Sequence, residues 1–257
     1  MQTSLRLKSG LLATVMLLGA ATLNAIPAYA EEWSIGSNSI AGSGKVEKQV
    51  RAVSGFNGIS IGVPANVELV QDNTESVTIE TDDNLLPLIE TVVERGQLKI
   101  RTVRRNANLE TRTMNIVVRL KNVDSINLGG SGSISSGKLH ASKLSVNLGG
   151  SGNVDIKSLD AVDLSIALGG SGAMKAAGTT DSMSVAIGGS GKIDAGSLKA
   201  KRVEISIGGS GRLTVAAKDR LSLTVAGSGD VAYYGDPQIS KTVLGSGSLK
   251  RLGAFPM

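Results

Sequence analysis

The sequence has no cysteine, a single histidine and few aromatic residues, which make up 2% of its 257 positions. Without cysteine the chain has no thiol for disulfides, for nucleophilic catalysis, for lipid attachment or for thiolate-bound metals. The one imidazole, His140, has no second histidine with which to share a metal, so we expect it on the surface. The sequence therefore predicts no catalytic residues, no metal site and no cofactor.

Charge of neither sign dominates, since 27 basic and 22 acidic residues give a net charge of +5. Nucleic-acid binders cluster lysine and arginine on one face, so this mixed pattern predicts no nucleic-acid partner. One basic segment contains Arg101, Arg104, Arg105 and Arg112. It has two interpretations: a solvated loop between strands, or a contact for an anionic partner such as lipid headgroups or acidic polysaccharide.

The first thirty residues have the features of a secretory signal peptide. Arg6 and Lys8 precede an apolar run at 11–23, and residues 28–30 form a small-x-small cleavage site ahead of Glu31. The apolar run is shorter than the roughly 20 residues of a membrane span, so an uncleaved anchor is the less favoured alternative. We expect an exported bacterial protein, periplasmic or at the cell surface, with no stable membrane span after cleavage.

Glycine, in contrast, is abundant at 33 residues, and much of it belongs to an internal repeat. The tripeptide Gly-Ser-Gly recurs seven times between residues 130 and 247, at steps of 18 to 20 residues. An alternating apolar segment precedes each copy and a second short strand follows it, as at 144–148 and 153–156. Five copies follow a further glycine: Gly130-Ser131-Gly132, Gly150-Ser151-Gly152, Gly170-Ser171-Gly172, Gly189-Ser190-Gly191 and Gly209-Ser210-Gly211. The last two copies begin at Gly227 and Gly245 and follow Ala226 and Leu244.

This repeat predicts an all-β fold, a parallel β-helix-like solenoid with rungs of about 20 residues. In such a coil each residue stacks on its own image about 4.8 Å away, and a rung buries its inner face only against its neighbours. A helical fold is excluded because the apolar period is two and the glycines would break each helix. A meander of antiparallel hairpins is the alternative.

The Gly-Ser-Gly tripeptides are predicted to be structural corners of the coil. We expect at least one residue of each corner to adopt positive φ, which glycine does without steric penalty. We also expect the serine hydroxyls to form a ladder that bonds to the backbone of the next rung. The flanking residues do not match a calcium-binding nonapeptide or a phosphate-binding loop.

The coil is predicted to be a single domain over residues 45–253, preceded by a flexible leader at 31–44. Residues 45–122 alternate like strands without a clear repeat and are predicted to be irregular early rungs, whereas 123–253 contain the tripeptide repeats. Asp82, Asp83 and Asn84 precede an apolar run at 85–89. Because aspartate and asparagine cap helices, they are predicted to cap a single helical turn.

Three segments of the N-terminal half, followed by the tripeptide repeats, resemble the bacterial head GIN domain family. They are Val-Ser-Gly-Phe-Asn-Gly-Ile at 53–59, Glu-Ser-Val-Thr-Ile-Glu at 75–80 and Asp-Asn-Leu-Leu-Pro-Leu-Ile-Glu-Thr at 83–91. The resemblance covers roughly residues 45–250. It implies a parallel β-helix-like fold in exported bacterial proteins that carry the label of auto-transporter adhesins and whose function is unknown.

An enzymatic β-helix would need carboxylates, alone or with arginine and lysine, clustered on adjacent rungs. The position three residues after each repeat is occupied in turn by Ser135, Asp155, Lys175, Asp194 and Thr214. Charges of opposite sign alternate in this column, which favours a stabilising ladder over a catalytic set.

The remaining candidate residues are Tyr233 and Tyr234, which either cap the end of the coil or form a contact patch. With Arg101, Arg104 and Arg105 they complete the predicted contact residues. We expect an exported, non-enzymatic adhesin, or a binding or scaffold protein of the cell envelope, with glycans or other envelope components as partners. A homo-oligomer is left open, and a polysaccharide lyase or hydrolase is the alternative function.

Overall fold

The computed structural model of the protein describes residues 39–104 and 107–255. The predicted signal peptide at 1–30 and Arg105 lie outside these residues. The described residues form a parallel stacked-coil β-solenoid of about six turns with rungs of about 20 residues, which confirms the predicted fold. None of their helices is long and apolar enough to cross a membrane.

The N-terminal end, residues 39–120, consists of short strands and one 3-10 helix. The strands are β1 (Ser39–Ala41), β2 (Val46–Arg51), β3 (Gly58–Ile61), β4 (Asn66–Gln71), β5 (Ser76–Asp82), β6 (Ile89–Glu94), β7 (Gln97–Thr102), β8 (Asn108–Glu110) and β9 (Asn115–Leu120), and the 3-10 helix is Leu86–Leu88. The coil, residues 125–253, follows. Its strands are β10 (Ser125–Leu128), β11 (Ser133–Ser136), β12 (Leu139–Leu148), β13 (Asn153–Leu168), β14 (Ala173–Ile187), β15 (Lys192–Ile207), β16 (Arg212–Val225), β17 (Asp230–Tyr234), β18 (Gln238–Val243) and β19 (Ser248–Gly253).

Burial along the coil shows three sides to each rung. The alternating segment before the glycines, such as 144–148, is the first side, and the segment after them, such as 153–156, is the second. Two successive exposed residues at 157–158 then turn the chain. Leu159 and Ala161 are buried, so residues 159–161 form a third side.

Neighbouring rungs pair in parallel and in register. Lys175 pairs with Asp155 on one side and with Asp194 on the other, which excludes the antiparallel meander. The inner face is a set of apolar columns in which like residues stack, for example Leu148 on Leu168 and then Ile187. Because burying each such side chain contributes about 1.5–3 kcal/mol, every added rung stabilises the rungs on either side.

The corner glycines are required for a reason that differs from the predicted one. Among the seven tripeptides only Gly245 has positive φ, at 141°. The constraint is close approach between stacked backbones: a Cβ on Gly170 would lie 2.0 Å from the carbonyl oxygen of Gly150, and one on Gly172 would lie 2.2 Å from that of Gly152. No side chain fits between two such corners, so glycine is needed at both ends of the tripeptide.

The glycine that precedes the tripeptide has no such constraint. A Cβ on Gly169 would meet nothing closer than a backbone oxygen at 4.0 Å, and one on Gly149 would meet nothing within 4 Å. This freedom explains why the last two copies have Ala226 and Leu244 at that position. The exposed side chain of Leu244 points away from the coil.

The serines of the corners do form a ladder, but through their backbone. The N–H of Ser171 donates to the Gly150 carbonyl and that of Ser190 to the Gly170 carbonyl, both at 3.2 Å. The serine side chains are exposed, and no rung-to-rung hydrogen bond from their hydroxyls occurs in the described residues. The prediction of a hydroxyl ladder is therefore wrong. The backbone N–H and C=O groups of stacked corners bond to each other and do not need the hydroxyls.

In the N-terminal end the stacking order differs from the chain order. Strand β3 pairs in parallel with β10 and β7, and β4 with β11 and β9. The segment 45–122 is predicted to form irregular early rungs. It contributes two rungs, and the outer one, formed by β7 and β9, comes later in the sequence than the inner one, formed by β3 and β4. Antiparallel strands close that end: β6 covers the edge of β7, and β5 covers β9 and is itself covered by β2.

The described part of the predicted leader, residues 39–44, is joined to the fold by hydrogen bonds. Strand β1 pairs with β8, the Ser43 N–H donates to Asn84 Oδ1 at 2.9 Å, and the Gly44 N–H donates to Asp82 Oδ1 at 2.6 Å. These residues differ in this respect from the flexible segment that their glycine and serine content predicts.

The same contacts change the role of the predicted capping residues. The helical turn exists as the 3-10 helix, but its N-cap is Leu85, which forms no side-chain capping bond. Asp82 and Asn84 bind the segment at 43–44 instead, so their predicted capping role is wrong.

Candidate functional site

The predicted tyrosine pair is divided between the core and the surface. Tyr233 is 8% exposed and pairs with the buried Val215, so its ring fills the interior near the end of the coil. Tyr234 alternates with it and is half-buried. Burial removes Tyr233 from the predicted contact patch, since strand alternation turns only one of two consecutive residues outward.

The predicted arginines lie at the other end of the molecule. Arg101 is in β7, in the outermost rung, whereas Tyr234 is in β17 near the last rung. Arg101 Nε is 2.6 Å from Glu90 Oε2, and its guanidinium is also 3.6 Å from Glu94. The Glu90 hydrogen bond and charge raise the pKa of Arg101, and these acids offset its charge. Arg104 is exposed, and the structure does not bring these arginines and tyrosines together.

The column of alternating charges has the predicted register, but its side chains are not arranged as the paired carboxyl groups of a glycosidase. Asp155, Lys175 and Asp194 stack in neighbouring rungs, and no ion pair joins them in the described part of the chain. Asp194 instead accepts a 3.3 Å hydrogen bond from the Gly196 N–H. A glycosidase places two carboxyl groups on either side of one bond, whereas here a lysine stands between the two aspartates.

The single histidine is part of a surface pair. His140 Nδ1 lies 3.1 Å from Asp160 Oδ2, and both side chains are about two-thirds exposed. Within residues 39–104 and 107–255 no group of three His, Asp or Glu residues is placed to hold a metal ion.

Two clefts are notable, and the first lies at the N-terminal end. It has a volume of about 630 Å³ and is lined by the segments 41–44 and 110–113, with Val46 and Asp82. Asp82 is only 4% exposed, and its oxygens accept from the Gly44 N–H and from the Thr111 hydroxyl. Because both carboxylate oxygens are bonded to the protein, this buried acid holds the N-terminal segment in place.

The second cleft is a groove on the third side of the coil, and none of the predicted site residues lies in it. This third-side groove has a volume of about 350 Å³ and crosses three rungs; its lining is Thr179, Thr180, Asp181, Lys199, Ala200, Lys201, Lys218 and Phe255. Its floor is the strand backbone at Thr180 and Ala200, which pair in register and whose side chains are buried in the core. The outward side chains on either side form its walls.

The walls of the third-side groove are basic. Lys199, Lys201 and Lys218 face one acid, Asp181, whose Oδ1 lies 2.7 Å from Lys201 Nζ. At the adjoining corner Arg202 and Arg220 pair in register and are exposed. Aligning the third sides of successive repeats would have revealed this basic cluster from the sequence.

Phe255 also lines the groove, and the path of the C-terminal segment places it there. The Gly235 N–H donates to the Gly253 carbonyl, and Arg251 Nε donates to the Gly235 carbonyl, both at 2.9 Å. The Phe255 ring lies 3.3 Å from the position of a Cβ on Gly235. Gly235, at φ 106°, therefore gives the turn its conformation and leaves room for the ring.

The stacked rungs and glycine corners define the class of this protein, a parallel β-solenoid. The sequence profile of the family described as "Putative auto-transporter adhesin, head GIN domain" matches residues 55–237. The chain belongs to this family. Among curated proteins, none matches the chain at a significant level.

Several solved structures share the fold. A "putative lipid binding protein" from Parabacteroides distasonis is 30% identical, with a TM-score of 0.71 over 83% of this chain and 99% of that one. A "putative adhesin" from Bacteroides fragilis is 28% identical, with a TM-score of 0.78 over 83% of this chain and all of the other. A "putative adhesin" from Parabacteroides merdae, at 20% identity and a TM-score of 0.67 over 83% of this chain and 99% of that one, is similar in fold.

Proposed function

We propose that this protein is exported and acts in the bacterial cell envelope as a non-enzymatic binding protein, adhesive or lipid-binding. The observation that carries this proposal is the third-side groove, a concave, basic surface on a rigid coil. Family membership supports it, as do the relatives described as an adhesin at 28% identity and as a lipid-binding protein at 30% identity. The signal-peptide features of residues 1–30 support export.

The side chains of the groove suit binding better than reaction. Its titratable groups are three lysines and Asp181, and Asp181 is ion-paired with Lys201. Hydrolysis of a glycosidic bond needs two carboxyl groups around one site, and this lining supplies one. Lysines beside an aromatic ring, Phe255, instead match an anionic or amphipathic partner.

The test is binding of the purified mature chain to envelope fractions and to a glycan array, with product analysis of every bound glycan. We expect retention on an envelope component and no cleavage product. Cleavage that disappears in Asp155→Ala and Asp194→Ala would contradict the proposal. Fractionation of cells expressing the full chain checks export: we expect the protein outside the cytoplasm, shortened by about thirty residues.

A further inference from the structure

We infer that the third-side groove binds an anionic single-chain lipid, with its acyl chain between the lysine stems and its headgroup on Lys199 and Lys218. The inference rests on the proposed binding function, because it names the ligand of that site. It follows from three properties of the groove: its apolar walls, its unpaired positive charge and the aromatic ring that lines it.

The walls offer an apolar track that crosses neighbouring rungs. The side chains of Thr180 and Ala200 are buried, so a ligand meets the methylene stems of the three lysines and the ring of Phe255. These stems provide apolar surface while their ammonium groups stay in water. The volume of about 350 Å³ is within the range of about 300–1,000 Å³ that is typical of small-molecule sites.

The positive charge at the groove exceeds what the protein offsets. Lys201 has its partner in Asp181, but in the described part of the chain no acid forms an ion pair with Lys199 or Lys218. Arg202 and Arg220, directly opposite each other in adjacent strands, are a repulsive arrangement. Asp219 is exposed beside Lys218 and does not remove this excess. A bound anionic headgroup would relieve the repulsion.

The ring of Phe255 favours an amphiphile over a plain anion. Phe255 lines the groove, and the hydrogen bonds of Gly235 and Arg251 hold the segment that carries it. An aromatic ring beside the lysine stems contacts a hydrocarbon chain, whereas a small inorganic or glycerol phosphate has no apolar chain to place there.

Calorimetric titration of the mature chain with monomeric lauroyl lysophosphatidylglycerol tests the inference. Two matched probes are lauroyl lysophosphatidylcholine, which has the same chain and no net charge, and glycerol 3-phosphate, which has the anion alone. We expect the anionic lysolipid to bind at least tenfold more tightly than the zwitterionic one, and glycerol phosphate to give no measurable binding. Equal binding of the two lysolipids, or equally tight binding of glycerol phosphate, would overturn the inference.

Variants locate the site. Lys199→Gln with Lys218→Gln should weaken binding of the anionic lysolipid at least tenfold, and Phe255→Ala should weaken binding of both lysolipids. The matched control is Lys192→Gln with Arg212→Gln, a stacked and exposed basic pair on the second side, which should bind like the parent. Equal thermal midpoints and circular dichroism establish that each variant is folded.

The outcomes separate this inference from the proposed function. Unchanged lysolipid affinity in the Lys199 and Lys218 double variant overturns the groove as the site. Retention on envelope fractions without any lysolipid affinity overturns the ligand named here and leaves the proposed binding function standing.

Discussion

The coil and the N-terminal end both consist of paired β-strands, but different contacts hold the two regions together. In the coil, each rung repeats the last, and stacked apolar columns and peptide hydrogen bonds suffice. The N-terminal end uses individual side chains: the Arg51 guanidinium donates to the carbonyls of Leu86 and Ile89 and to Thr91 Oγ1, at 2.8, 2.5 and 2.7 Å. A repeat has no natural stopping point, so its end requires contacts that the repeat itself does not contain.

The last rung ends the coil in another way. Its inner positions continue the apolar columns, but Lys241 stands below Leu223 and Arg251 below Tyr233. Charged residues at inward positions of an edge strand discourage pairing with another chain. One end is thus covered by antiparallel strands, whereas the other is protected by charge.

The largest expected effect separates the two kinds of glycine in one corner. Gly170→Ala should destabilise the protein by about 3 kcal/mol, because the new methyl would overlap a backbone that cannot move alone. Gly169→Ala, one residue earlier and exposed, should change stability by less than about 0.5 kcal/mol. Urea unfolding of both variants measures the difference, and equal midpoints would contradict the account of the corners.

A smaller and local effect is expected from the N-terminal end. Arg51→Ala should cost about 2 kcal/mol, because it removes charge-assisted hydrogen bonds to two backbone carbonyls. Burial lowers the pKa of this guanidinium, in keeping with its enclosed position. Amide hydrogen exchange should accelerate in β2, β5 and β6 and stay unchanged in β13–β15. Acceleration throughout the coil would show that the two regions are not separable; the exposed Arg212→Ala is the control.

The charged end of the coil predicts a change in association rather than in stability. Lys241→Leu completes the apolar column below Leu223 and should promote self-association at micromolar concentration, measured by sedimentation velocity. Lys250→Leu changes an exposed, outward residue of the same rung and should leave the assembly state unchanged. Identical sedimentation of the two variants would count against protection by charge.

The smallest expected effect is a loss of stability of the N-terminal end at low pH. The hydrogen bond from the Ser43 hydroxyl lowers the pKa of Asp83, and bonds from Thr74 and Arg119 lower that of Asp72. Since these pKa values are below those of the unfolded chain, the stabilisation is complete above about pH 4 and is lost as pH falls through the folded values. Exchange in the N-terminal end should therefore rise slightly below pH 4, and Asp83→Asn should reduce that rise. A pH profile that Asp83→Asn leaves unchanged would be inconsistent with this cause.

The sequence predicts the coil well because equivalent positions of successive repeats pair with one another, so the repeat period gives the strand register. Asp155, Lys175 and Asp194 share a phase and therefore stack. The third side has a weak signal in the sequence, because its two inward residues, Leu159 and Ala161, are too few to indicate a strand. The repeat predicts where the glycine corners lie but not why they need glycine, since close approach of two backbones depends on the neighbouring rung and not on local conformation. The inverted order of the first rungs has no local signal, because strand alternation does not specify a partner.

The groove on the third side is the proposed ligand site of this solenoid. Amide chemical-shift mapping of the labelled mature chain during titration with lauroyl lysophosphatidylglycerol is the direct test of that site. The account predicts perturbations concentrated at 179–181, 199–201, Lys218 and Phe255, with the first and second sides unaffected. Perturbations centred on the first or second side, or at the Asp82 cleft, would contradict it.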